Sequence, residues 1–120
     1  VALGISSSPT ASSSTPVPIP DMSLTVRALS ANWFDLSFYC SMAISVNTMN
    51  VAIRFYVNGV YVGAEQLIGA TNAPNYPVSM NLPVYLYAGT HKIDVYWYVF
   101  SGAGTVTANS VQRALSVKEI

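Results

Sequence analysis

Residues 34–46 carry apolar side chains at every second position: Phe34, Leu36, Phe38, Cys40, Met42, Ile44 and Val46. Between them stand Asp35, Ser37, Tyr39, Ser41, Ala43 and Ser45. Successive side chains of an extended strand point to opposite faces, so a period of two predicts a half-buried strand and excludes an amphipathic helix. The run is long for a single strand, which predicts a bend or a bulge within it. The same period recurs over residues 23–29, with Leu24, Val26 and Ala28 on one face. It recurs over 51–57, where Val51, Ile53, Phe55 and Val57 face one way and Arg54 and Tyr56 the other. Over 92–100 it places Ile93, Val95, Trp97 and Val99 inward and Asp94, Tyr96, Tyr98 and Phe100 outward. No segment has a helical repeat.

The punctuation between these runs is that of tight turns. Asn58-Gly59 separates two β-rich runs, and both central residues of a type I′ turn need positive φ, which Asn and Gly accept. Residues 69–77 read as a loop, and 77–86 as a strand whose Pro83 suits an edge or a bulge. Residues 88–91 form a turn, and 101–104 turn the chain back into a short strand at 105–108. A last strand spans 111–117. Roughly seven or eight strands with tight connections predict an all-β fold, an antiparallel β-sandwich of jelly-roll type, over residues 22–120. Residues 1–21 read as an extended N-terminal arm. Within it, residues 6–20 are a Ser/Pro-rich linker that cannot bury enough apolar surface to fold alone. The apolar Val1, Leu3 and Ile5 ahead of the linker are either an assembly arm that docks on a neighbouring subunit or the scar of a truncation.

Composition then bears on what covers such a sandwich. Only five acids and five bases occur in 120 residues, they cancel to zero, and 52% of the chain is hydrophobic. Sparsely charged, near-neutral surfaces associate, and a surface covered by copies of the same chain, or by a partner, is expected. The outward Tyr96, Tyr98 and Phe100 form the expected oligomer interface; a cover from the same chain is the alternative. Three such rings represent on the order of 10 kcal/mol of gross burial. The absence of a basic stripe argues against nucleic acid as a partner. No run approaches the roughly 18 apolar residues of a helical membrane span.

Chemistry-bearing constellations are scarce. His91 stands alone in a Gly-Thr-His turn, where it reads as a turn residue bonding the backbone, and no catalytic residue is expected. One His and one Cys do not make a transition-metal site, and no phosphate-cradling loop occurs, so neither metal nor cofactor is expected. Cys40 shares its parity with core residues and reads as a small core hydrophobe. Arg113 shares parity with Val111, Leu115 and Val117. It sits either at the sandwich rim, the favoured reading, or buried and paired with Asp94 or Glu119. If the chain were instead a carbohydrate-binding module, Trp33, Tyr61, Tyr76 or Tyr87 would be its stacking platforms, with a host-surface receptor or glycan as partner.

Three stretches add a resemblance. Residues 88–97 (AGTHKIDVYW), 101–105 (SGAGT) and 113–120 (RALSVKEI) are similar to the closing strands of trimeric jelly-roll domains of the tumour-necrosis-factor and complement type, as found at phage tail-fibre tips and on virion surfaces. Residues 54–60 (RFYVNGV) fall where those domains carry a hairpin. The resemblance implies a non-enzymatic homotrimer within a larger capsid, tail or filament assembly, on a virion surface or outside a cell, that serves surface attachment or decoration. A filament subunit that polymerises by inserting its N-terminal arm into a neighbour is the alternative.

Overall fold

The computed structural model describes residues 2–3, 10–11, 13–44, 50–68, 73–101 and 105–120. Nine strands account for nearly all of them: β1 (Ala2–Leu3), β2 (Thr10–Ala11), β3 (Val17–Ala28), β4 (Asn32–Ile44), β5 (Asn50–Val57), β6 (Val60–Ile68), β7 (Ala73–Leu86), β8 (Gly89–Ser101) and β9 (Val106–Glu119). One sheet has the order β1-β9-β4-β7, with β2 also on β9; the other has the order β3-β8-β5-β6. Every pairing is antiparallel. Taking β1 and β2 as one interrupted first strand, the pairs first–β9, β3–β8, β4–β7 and β5–β6 nest inside one another. That is one long hairpin folded at the β5–β6 turn and rolled into two layers, the jelly-roll arrangement.

The alternating stripes meet between the layers. Phe34, Leu36, Phe38, Cys40, Met42 and Ile44 of β4 are buried against Val51, Ile53 and Phe55 of β5 and Ile93, Val95, Trp97 and Val99 of β8. Val46 lies outside the described residues. The irregularity expected of the long run is present: the pairing of β4 shifts between Cys40 and Met42 against β9, and between Met42 and Ile44 against β7. At the β5–β6 turn Asn58 has φ 52° and Gly59 φ 80°. The Asn58 side chain does more than tolerate that conformation. Its Oδ1 accepts from the Lys92 N–H at 2.9 Å, while the Asn58 backbone N–H donates to the Lys92 carbonyl at 2.8 Å. The tip is thereby tied to β8.

Several expectations are corrected. Residues 73–77, read as loop, belong to β7, because their backbone pairs with β4 (Ile44 with Ala73, Met42 with Tyr76, Ser41 with Pro77). β7 is an edge strand, so its prolines need not donate to a second neighbour. The segments at 105–108 and 111–117 are one strand, β9, which follows β4 past the shift at Cys40/Met42. The sandwich also starts before residue 22. β3 begins at Val17, with Ile19 and Met22 buried and the prolines at exposed positions. The described parts of the arm are sheet as well: Ala2 and Leu3 pair with Leu115 and Ala114 of the same chain, and Thr10 and Ala11 with Thr107 and Val106. Val1 and Ile5 lie outside the described residues, as do residues 102–104 of the expected turn.

Arg113 is not at the rim, and the carboxylate it pairs with is that of Asp21 rather than Asp94 or Glu119. It is 2% exposed and points inward from β9, as parity dictates. Its Nη2 lies 3.0 Å from Oδ2 of Asp21, and its Nε donates to the Pro20 carbonyl at 3.3 Å. β3 slips register between Pro18 and Ser23, and Asp21 in that bulge adopts φ 67°. The bulge turns a carboxylate and a carbonyl toward the opposite layer, which is where an inward-pointing arginine needs them. Asp94 instead lies 3.9 Å from Nζ of Lys92 on its own strand.

Candidate functional site

The outer face of the β3-β8-β5-β6 sheet is paved with aromatic rings. Tyr96 and Tyr98 are half-buried, and Phe100 is exposed. Their parity on β8 turns them away from the core, as read from the sequence. Cross-strand register adds Arg54 opposite both Tyr96 and Glu65, and Tyr56 opposite Tyr61. The Tyr98 hydroxyl donates to Glu65 Oε1 at 2.6 Å, although Glu65 stands on β6 and the strand order is β8-β5-β6. The Tyr98 side chain therefore lies flat across β5. It can do so because the residue beneath it, its register partner on β5, is the small, fully buried Ala52.

Arg54 occupies the centre of this pavement. Its Nε donates to Glu65 at 2.8 Å and its Nη2 to the Tyr98 hydroxyl at 3.1 Å. Its guanidinium carbon is 4.3 Å from the Tyr61 ring centroid and 5.0 Å from that of Tyr98, within cation–π range. Burial works against its charge, but hydrogen bonds with Tyr56 and Glu65 and the Glu65 charge outweigh it and hold Arg54 above its ordinary pKa. The Tyr98 phenol is raised above 10.0, first by its bond to Glu65 and then by burial. Tyr56 stacks on Tyr96 at 4.0 Å between centroids, and Tyr98 meets Phe100 edge-on at 6.4 Å. Arg54 and Glu65 neutralise each other on this face, as do Lys92 and Asp94, the latter the register partner of Tyr56, and the pavement is bordered by the exposed Phe100 and Leu67.

The four stacking candidates are divided by the fold. Tyr61 belongs to the pavement, and one face of its ring is taken by Arg54. Tyr76 is no platform: on β7 it shares parity with the buried Val78 and Met80 and packs against the core. Trp33 and Tyr87 do come together, on the opposite sheet, through a residue the sequence reading missed. Tyr85 is the register partner of Trp33 and meets it edge-on at 5.5 Å; Tyr87 in turn meets Tyr85 edge-on at 5.5 Å. The signal for Tyr85 was its parity with Pro83 on the outward face of β7, but only the register sets it opposite Trp33.

The remaining candidates have structural roles. His91 Nε2 bonds the Tyr87 carbonyl at 2.7 Å, and Nδ1 lies 3.0 Å from the Asn58 amide. Cys40 is buried, and burial pushes its thiol up to about 12, with Arg113 opposing. Among the described residues no group of three or more His, Cys, Asp or Glu side chains is placed to hold a metal ion. Among them too, no helix is long and apolar enough to cross a membrane.

No protein-family model and no curated protein matches the sequence. Solved structures do match. A chain from infectious bursal disease virus, Gt strain, superposes with a TM-score of 0.61 at 14% identity over 98% of this chain and 32% of its own. This chain therefore spans about a third of that viral chain's length. The C-terminal domain of EclA, a sugar-binding protein, gives 0.56 at 11% identity, covering 92% of this chain and 76% of that one. A family 35 carbohydrate-binding module from Clostridium thermocellum gives 0.50 at 20% identity, with 79% and 66% covered. At such identities the likeness is one of fold, and the fold is the antiparallel β-sandwich.

Proposed function

We propose that this chain is a non-enzymatic structural module that assembles with copies of itself, as a homotrimer, through the outer face of the β3-β8-β5-β6 sheet. Its setting on this reading is a virion surface or an extracellular appendage, where it attaches or decorates. The observation that carries the reading is the pavement of Tyr56, Tyr61, Tyr96, Tyr98 and Phe100, whose charges are paired within the chain, Arg54 with Glu65 and Lys92 with Asp94, on a chain with so few charges. Such a surface resembles the apolar, aromatic centre of an interface rather than a polar rim. The likeness in fold to a chain of infectious bursal disease virus agrees with a place in a virion. The absence of catalysis is consistent with a buried, protonated Cys40 and a His91 whose two ring nitrogens are both engaged.

Leu67 and Phe100 are exposed at the border of the pavement, so lysine at both tests the contact without removing a bond that holds the fold. Wild-type protein is expected to sediment with the mass of three chains. The Leu67→Lys/Phe100→Lys variant is expected to sediment as a monomer with an unchanged melting temperature. A wild-type monomer, or an unaltered oligomer in the variant, overturns the proposal.

The filament reading retains one observation in its favour. β1 is the edge element of its sheet and covers β9. A neighbour's arm could take its place by adding a strand to the same edge.

A further inference from the structure

We infer that the Trp33–Tyr85–Tyr87 row on the β1-β9-β4-β7 sheet is a carbohydrate-binding site, separate from the proposed assembly face. Trp33 is 50% exposed, Tyr85 46% and Tyr87 72%. Tryptophan is normally among the more buried residues, and here its ring stands on the outer face of a sheet. Each ring meets the next at a steep angle, 70° and then 87°, so the row is stepped, with one ring's edge rising beside another's face. Edge-to-face contacts hold the rings in place before any ligand arrives.

What stands beside the rings points to the ligand. The next outward residue on β4 is Asp35, followed by Ser37, and opposite Ser37 on β7 is Asn81. The Asn81 amide donates to the Ser37 hydroxyl at 2.7 Å and lies 3.4 Å from Oδ2 of Asp35. Lys118 of β9 is the register partner of Asp35 on its other side. A carboxylate and an ammonium group thus lie one outward position from the aromatic row, and an amide and a hydroxyl two. A pyranose has this same division: one face of weakly polarised C–H bonds that packs on a ring, and an equatorial belt of hydroxyls that both donate and accept. Asp35 can accept from two neighbouring hydroxyls, and Asn81 and Ser37 can do either.

The three rings alone fall short of a subunit contact. Rings of this kind offer about 150–250 Å² each when fully exposed. At their exposures the three present on the order of 300–400 Å², against about 800 Å² per partner in a stable protein interface. One to three sugar rings fit that area. A shallow site of this kind binds weakly, and repetition on an oligomer would convert weak binding into avidity. The inference does not rest on the assembly reading, since a monomer would carry the same row.

The test is native affinity electrophoresis of the full chain in gels containing xylan, galactomannan, β-glucan or dextran, together with a glycan array. Retardation in at least one gel or binding on the array is expected. Trp33→Ala and Tyr87→Ala are expected to weaken it about tenfold or more, as loss of a stacking ring does. Trp33→Phe should retain part of it, and Tyr61→Ala, on the other sheet, all of it. Absence of binding on every gel and on the array overturns the inference. Equal binding by the Trp33 and Tyr87 variants does the same. A Trp33→Ala variant that folds but loses its oligomer reassigns the row to subunit contact and overturns it too.

Discussion

Two side-chain pairs carry most of the charge that this chain places out of water. Arg113 is enclosed between the layers, and Asp21 is its ion-pair partner in the β3 bulge at 3.0 Å. Asp21→Asn keeps the shape and tolerates the positive φ, but leaves a buried guanidinium without its counter-charge. The cost is expected to be about 3 kcal/mol, the low end for a broken buried pair because Asp21 is partly exposed. Adding Arg113→Met should restore most of the loss, since no charge then remains to be satisfied. Urea denaturation of both variants checks this, and an Asp21→Asn variant as stable as wild type would remove the ion pair from the account. Tyr98 makes a prediction in pH. Its phenol holds its proton more tightly in the folded chain than its ordinary 10.0. The folded state therefore binds more protons than the unfolded one in the window between the two values, and stability falls as pH rises there. The contribution is complete below pH about 10 and lost as pH climbs through the raised value. Tyr98→Phe is expected to be less stable at neutral pH and to lose less stability between pH about 8 and 11. Identical slopes in the two proteins would show that the Glu65 bond does not distinguish the folded phenol.

Among the elements, β1 and β2 differ most from what the sequence conveys. A Ser/Pro-rich stretch offers no alternating stripe, so it reads as a tether, yet its described ends pair with β9. Among the described residues, no fully buried core side chain precedes Ile19. Deleting residues 1–15 is therefore expected to leave a folded chain, less stable by about 1–3 kcal/mol for the backbone hydrogen bonds lost. It also bares the edge of β9, so added aggregation is expected alongside a surviving trimer. Sedimentation of the truncated chain checks both, and loss of the native assembly would favour strand exchange over the face-to-face reading. The other elements were legible for plain reasons. β4, β5 and β8 announce themselves by period two, and the β5–β6 turn by Asn58-Gly59. β7 and β9 were cut short because prolines in the first and small polar residues in the second obscure the alternation, and only pairing with β4 shows their continuity. The same limit applies to the two faces. Tyr96, Tyr98 and Phe100 could be placed outward from parity alone. Glu65 beside Tyr98, and Tyr85 beside Trp33, depend on which strands are neighbours and in what register, which no local pattern encodes.

At the scale of the molecule, the nested pairing of the strands governs how the fold can be reached. Only the β5–β6 partners are close in the chain; each further pair encloses all those inside it, and the outermost joins the two ends of the described chain. Long-range pairing of this kind has a high closure entropy to overcome before its contacts form, so folding should be slow for so small a chain. A ribosome extruding it would hold β4 with β7 on one side and nothing on the other until β9 emerged. During that interval the β4 edge and its apolar stripe would be available to any other nascent copy. For a protein whose finished surface carries so little repulsive charge, the hazard lies in the interval before the roll closes, and β9 is the strand that ends it.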